Sequence, residues 1–175
     1  MTEIRTIGHS TRTAEELVEL LRAHGVSLLV DIRTVPRSRR NPQFNKETLP
    51  DTLDRHGIAY RHEKRLGGLR KPRKDSINTA WRNASFRGYA DHMQTDEFVV
   101  AVQDLVDLAS EQPLALMCAE SVPWRCHRSL VADALTARGV EVRHIMNAKT
   151  ASPHRTTPFA RIDGENVTYP GLSDA

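Results

Sequence analysis

Short apolar runs and amphipathic stretches take turns along the chain, the alternation expected of strands and helices that share one sheet. The first run, residues 4–7, ends in Gly8-His9-Ser10-Thr11. Thr13 then precedes Leu17, Val18, Leu20 and Leu21 on one helical face, and Glu16 stands where a capping box needs it. Gly25 suits the end of that helix, and residues 27–32 read as a buried strand, giving a β-α-β start. After the polar stretch 33–45, residues 46–56 predict a short helix around Leu49 and Leu53, which Pro50 must begin or distort. A third strand is expected over 58–62.

Residues 63–85 are poor in aliphatic side chains and rich in Arg, Lys, Gly, Pro and Asn. A stretch this long inside a compact domain is normally functional or disordered. Trp81, Phe86 and Tyr89 near its end supply apolar anchors, so an excursion ordered by itself or by a ligand is expected. Further on, 95–110 predicts a helix with Asp96 and Glu97 in its first turn, 114–117 the most apolar strand, 126–138 a helix closed by Gly139, and 140–145 a last strand. In the polar tail, 159–162 and 167–169 flank Asp163-Gly164 as a small hairpin. The pattern predicts a single three-layer α/β domain over 1–150, a mostly parallel sheet flanked by helices, with the basic excursion at 63–85 and 151–175 as a tail or hairpin packed on it.

Composition adds limits. In 175 residues, 39% hydrophobic and 27% charged, no apolar run approaches the ~20 residues of a membrane span. The first residues, MTEIRTIGHS, carry no signal-peptide pattern, which makes the cytoplasm the expected location. Net charge is only +3, yet residues 33–87 hold 15 of the 25 Lys and Arg against 5 of the 22 Asp and Glu, an excess of ten. The rest holds 10 basic and 17 acidic residues, so a mild total conceals a basic window suited to an anionic partner, or to a solvated face.

In an open parallel sheet, ligands bind beyond the carboxyl ends of the strands. Those ends deliver Gly8, His9 and Ser10 from the first strand and Asp31, Arg33, Pro36, Arg37, Arg39 and Arg40 from the second. The 114–117 strand delivers Cys118, Glu120, Arg125, Cys126, His127 and Arg128. If the three strands are neighbours, the sets converge. The segment 118–128 places a thiol at a strand end and Cys-His-Arg at a helix start, where free amides and the helix dipole favour thiolates and anions. Its spacing differs from the Cys-x5-Arg loop of cysteine phosphatases, since position 124 is Trp. Cys118 could be a nucleophile or redox thiol with His9 or His127 as base and Glu120 as general acid or base; both cysteines could equally be small buried side chains.

A zinc reading would combine Cys118, Cys126 and His127, with His9 as a fourth ligand. Adjacent ligands at 126 and 127 point to different sides of a helix and no Cys-x2-Cys pair exists, so no metal is assigned and zinc stays a minor alternative. A nucleic-acid reading uses the basic runs 36–42 and 70–74 on phosphates, with Phe44, Trp81, Phe86 and Tyr89 stacking on bases or simply anchoring loops. The remaining histidines, among them His24, His144 and His154, are expected to be mostly solvated or packed.

The residues Thr6-Ile7-Gly8-His9-Ser10, Asp31-Ile32-Arg33, Pro36-Arg37-Ser38, Asn41-Pro42-Gln43-Phe44-Asn45, Leu66-Gly67-Gly68, Cys118-Ala119-Glu120 and Cys126-His127-Arg128 resemble the domain-of-unknown-function 488 family from Thr6 to about Ile145. The resemblance implies a single α/β domain of bacteria and archaea and no particular reaction. From the residues, the expectation is an intracellular hydrolase or transferase acting on a phosphate-bearing nucleotide or nucleic acid. Its catalytic residues would be Cys118, Glu120, His9 and His127, and its anion-binding set Ser10, Asp31, Arg33, Arg37, Arg39, Arg125, Cys126 and Arg128. The alternative is a non-catalytic nucleic-acid-binding module that uses the 33–87 window.

Overall fold

The computed structural model describes residues 2–171. Strand β1 (Glu3–Gly8) leads through helix α1 (Ala14–Ala23) to β2 (Leu28–Asp31). Thr13 and Glu16 form the reciprocal capping box that starts α1, and Gly25 leaves it at φ +67°. Helix α2 (Leu49–Asp54), with Pro50 in its first turn, is shorter than the 46–56 expected, and β3 (Ala59–His62) follows. Helices α3 (Ala84–His92) and α4 (Asp96–Glu111) precede β4 (Leu114–Cys118), and α5 (Arg128–Ala137) joins it to β5 (Glu141–Ile145). A short β6 (Ala151–Pro153) and the pair β7 (Arg161–Asp163) and β8 (Asn166–Thr168) complete the chain.

The six-stranded sheet runs β3-β2-β4-β1-β5-β6, parallel except for β6. β2 and β4 are buried along their whole length because helices cover both faces. Side-chain alternation divides the core: Ala115 and Met117 of β4 face Leu17, Leu21 and Leu53, whereas Leu114, Leu116 and Cys118 face Phe98, Leu105 and Leu130. α1 and α2 therefore form one outer layer and α3, α4 and α5 the other. The α/β class and the mostly parallel sheet agree with the pattern read from the sequence.

Three local expectations change. Residues 84–92 form a helix, capped by Asn83 through the Ser85 and Phe86 amides, where only the end of a loop with anchors was expected. The predicted helix 126–138 begins at Arg128, since Cys126 is extended (φ −133°, ψ 148°) after a 3-10 turn over Pro123–Arg125. The edge strand β6 was not anticipated.

The basic excursion is tied down by buried Asp91, whose carboxylate accepts from the Arg73 amide (2.8 Å), Ser76 Oγ (2.6 Å) and Asn78 Nδ2 (2.8 Å). Gly88 lets the 70–71 backbone cross α3, since a Cβ there would collide with the Arg70 carbonyl. The tail packs back through β7 and β8, joined across Asp163-Gly164 as an antiparallel hairpin. Fully buried Tyr169 donates its amide to Asn78 Oδ1 at 2.9 Å.

Candidate functional site

β1, β4 and β2 are neighbours, with Gly8 beside Cys118 and Asp31 beside Met117, so their polar ends open onto one cleft of about 640 Å³. Of the predicted residues, His9, Ser10, Arg33, Arg37, Cys118, Glu120, Arg125, Cys126 and His127 line it. Gly8 is required beneath them: a Cβ there would strike the Glu120 carbonyl and the Ser121 backbone, which lie directly over the strand end. The loop is pinned by amide bonds from His9 to the Cys118 carbonyl and from Ser10 to the Ala119 carbonyl, each 2.9 Å. Ser10 takes a left-handed backbone at φ +49° to complete that turn.

Asp31 does not reach the cleft. It is fully buried and grips Arg33 in a two-point ion pair (Nε 2.9 Å, Nη2 2.7 Å), while Tyr60 donates its hydroxyl to the same carboxylate at 2.6 Å. Burial, with that bond to Asp31, holds the Tyr60 phenol above its ordinary range. Arg33 also donates to the Phe44 carbonyl at 2.6 Å and approaches His9 Nε2 at 3.4 Å. His9 Nδ1 faces the Ser10 carbonyl at 2.8 Å and therefore carries the proton, leaving Nε2 to accept from Arg33. Its ring stacks on Phe44 at 4.5 Å, and burial, helped by the Arg33 charge, lowers its pKa. His9 is thus a neutral ring held by the arginine, and among the described residues its ring nitrogens face Ser10 and Arg33, not the Cys118 thiol.

The thiol chemistry lies on the other wall. Cys118 and Cys126 are both free and buried, and their side chains lie close enough to interact. Burial opposes a charge on Cys118, but the Cys126 side chain, the Arg128 guanidinium and the Glu120 backbone outweigh it and bring this thiol below its ordinary range. The Cys118 side chain, together with burial, pushes Cys126 well up. Cys118 therefore ionises first, while Cys126 keeps its proton. His127 Nε2 donates to the Ile32 carbonyl at 2.9 Å, which leaves unprotonated Nδ1 facing Cys126 Sγ at 3.6 Å. Burial, with the Arg128 charge, lowers His127 to about 4. The expected base for Cys118 thus sits beside Cys126 instead. The reason is the extended backbone at Cys126, which places its sulfur between the other two groups.

Arg128 is displaced from its expected anion-binding role. As the first residue of α5 it turns under the 118–121 loop, only 1% exposed, and Nη2 donates to the Glu120 and Ser121 carbonyls at 3.1 Å each. Its Nε has no partner, and among the described residues no carboxylate pairs with it. The helix N-terminus is also used internally, since the Arg128 amide donates to Cys126 Sγ at 3.4 Å. Arg39 is exposed and off the cleft; Arg40, two residues along from Arg37's neighbour, lines it in its place.

Of the proposed stacking residues, Phe44 and Tyr89 are buried. Trp81 packs in a cluster with Phe86, Phe159 and Tyr169 that secures the tail, so these rings serve as anchors. Among the described residues no group of three His, Cys, Asp or Glu side chains could hold a metal ion. No described helix is long and apolar enough to cross a membrane. On the far wall of the cleft, Thr34 and Leu69 escaped the sequence reading, whereas Gly68 was noted only as part of a motif and Phe86 only as a stacking or anchoring ring. Gly68 leaves room for the His127 ring, 3.1 Å from where a Cβ would stand. Leu69 is 82% exposed on a left-handed backbone (φ +59°), and with Val35 (61%) it gives the mouth an apolar edge. An apolar side chain bordered by loop glycine was the only signal available.

A family model described as Domain of unknown function DUF488 matches residues 13–135, from the cap of α1 into the last turn of α5. This is narrower than the resemblance read from the motifs, and leaves His9, β5 and the tail outside the match. No curated protein and no solved structure matches the chain.

Proposed function

We propose a function for a chain that belongs to the family described as Domain of unknown function DUF488: a hydrolase or transferase in which the Cys118 thiolate attacks a phosphate-bearing small substrate of nucleotide size. The observation that carries this reading is the placement of Cys118 in an arginine-edged cleft, beside a buried guanidinium with no carboxylate partner among the described residues. An uncompensated buried cation is costly, and a thiolate beside it offsets part of that cost.

Arg37, Arg40 and Arg125 at the mouth would hold the phosphate by charge-assisted hydrogen bonds. The apolar edge of Val35 and Leu69 would cover the uncharged body of the substrate, and the cleft volume falls in the roughly 300–1,000 Å³ range of small-ligand sites. Glu120, exposed on the same wall, is placed to exchange a proton with the leaving group.

Calorimetric titration with inorganic phosphate and with nucleoside mono- and triphosphates tests the binding step. The triple variant Arg37→Ala, Arg40→Ala, Arg125→Ala should weaken the bound nucleotide by at least about tenfold. On a nucleotide the wild type turns over, Cys118→Ser should abolish turnover while keeping binding. Equal affinity in the triple variant, or full turnover in Cys118→Ser, would overturn the reading. Binding of single-stranded nucleic acid that falls steeply with salt and is indifferent to Cys118→Ala would favour a non-catalytic module instead.

A further inference from the structure

Cys126 has no part in the reaction just described, yet it lines the same cleft, its side chain interacts with that of Cys118, and its sulfur accepts from the Arg128 amide at 3.4 Å. We infer that Cys118 and Cys126 form a reversible intramolecular disulfide, with Cys118 as the peroxide-reactive thiol and Cys126 as the thiol that resolves it. The inference shares Cys118 with the proposed enzyme but does not need a phosphate-bearing substrate.

The arrangement is asymmetric in the way such a pair requires. Both sulfurs border the same cleft, which admits a small oxidant although each residue is at most 6% exposed. Cys118 lies at the end of β4 with Arg128 beneath its loop, and Cys126 has His127 Nδ1 on its far side at 3.6 Å. The thiol that ionises first is the attacking one, and its partner keeps its proton beside His127 Nδ1.

With a hydroperoxide as the oxidant, the Cys118 thiolate attacks the terminal oxygen, the O–O bond breaks, and the alcohol (water, for hydrogen peroxide) leaves with a proton from solvent. Cys118 becomes a sulfenic acid. Cys126 then loses its proton towards His127 Nδ1 and attacks the Cys118 sulfur. The S–O bond breaks, hydroxide departs with that proton as water, and the S–S bond forms. Two thiols are oxidised by two electrons and one peroxide is reduced. A small dithiol reductant reverses the change by exchange.

The experiment treats the reduced full-length chain with stoichiometric hydrogen peroxide, then measures free thiols and maps linked peptides by mass spectrometry. The wild type should lose both thiols, yield a Cys118–Cys126 cross-link and regain both thiols with dithiothreitol. Cys126→Ser should stop at a Cys118 sulfenic acid trapped by dimedone, and Cys118→Ser should leave Cys126 unmodified in the same time. The wild-type map stands by itself if either variant fails to fold. Persistence of both thiols, or passage of Cys118 to sulfinic acid with no cross-link, would overturn the inference. Phosphate titration of the reduced protein separates the two proposals: a cross-link without phosphate binding sinks only the substrate reading, and binding without a cross-link sinks only this one.

Discussion

Helix α5 carries two buried charges five residues apart, Arg128 and Asp133, and they are treated in opposite ways. Asp133 is closed: its carboxylate accepts from the Thr157 amide (3.1 Å) and hydroxyl (2.7 Å), from the Tyr169 hydroxyl (2.7 Å) and from His154 Nε2 (2.7 Å). The chain of donors continues outward. His144 Nε2 faces His154 Nδ1 at 2.9 Å, and Thr6 Oγ1 faces His144 Nδ1 at 2.6 Å, so one direction of donation from Thr6 to Asp133 satisfies every ring nitrogen. Arg128 is open, with two carbonyls on one nitrogen and none on Nε. A buried charge with a full set of partners holds a structure together, and here it fastens the tail to the sheet. A buried charge left short of partners instead raises the local potential for whatever anion lies next to it, and its neighbour is a thiol.

The largest break in this contrast is expected at the closed end. Asp133→Ala removes one acceptor and strands four donors contributed by residues 154, 157 and 169, so it should cost about 3–5 kcal/mol, read as a lower denaturant midpoint. Proteolysis within 146–171 should accelerate. The rate at which Cys118 reacts with a small alkylating agent should stay the same under conditions where the variant is folded. A loss below about 1 kcal/mol would show that the tail is fastened by its apolar contacts alone.

Acid should weaken both centres, because each contains a neutral histidine. Burial, with the charges of His154 and Arg128, lowers His144 to about 3, and burial lowers His127 to about 4, both from an ordinary 6.5. Above pH 6.5 neither the folded nor the unfolded chain binds these protons. As pH falls from 6.5 towards 3 and 4, the unfolded chain takes them up and the folded one does not, so stability declines through that window. Each histidine should contribute about 2 kcal/mol of loss between pH 7 and pH 5, read from urea midpoints. His144→Gln should remove one share of the decline and leave the other. An unchanged pH dependence in that variant would place the acid sensitivity elsewhere.

The open centre was more legible than the closed one, for physical reasons. Strand ends in a parallel sheet collect functional groups, and the apolar runs 4–7, 27–32 and 114–117 are distinct enough in the sequence to bring His9, Arg33 and Cys118 together. What they do there depended on backbone detail. Cys126 looks helical by pattern but is extended, and Arg128 looks solvent-facing at a helix start but turns inward, because the 118–121 loop needs donors for its carbonyls. Asp133 gave no signal: a single polar residue inside an apolar helix reads as an exposed position until the tail, some twenty to forty residues later, returns to cover it. Helix α3 was missed because its apolar side is made of Phe86, Tyr89, Ala90 and Met93 around a central Gly88, too sparse a periodicity beside so many basic residues.

Arg128→Met gives the smallest change in stability and the sharpest comparison with Asp133→Ala. A methionine keeps much of the buried stem volume and removes a cation that has no carboxylate partner among the described residues, while the Glu120 and Ser121 carbonyls belong to exposed residues within reach of water. The net effect on the unfolding midpoint should correspond to about 1 kcal/mol or less. The effect on the thiol should be plain, since the Arg128 charge is one of the forces that bring Cys118 below its ordinary range. The pH at which Cys118 becomes thiolate, followed by alkylation rate or thiolate absorbance, should rise, and alkylation at neutral pH should slow by about tenfold for each pH unit of that rise. A large loss of stability with an unmoved thiol would mean that Arg128 is a structural donor to the loop, and the two buried charges of α5 would then be alike.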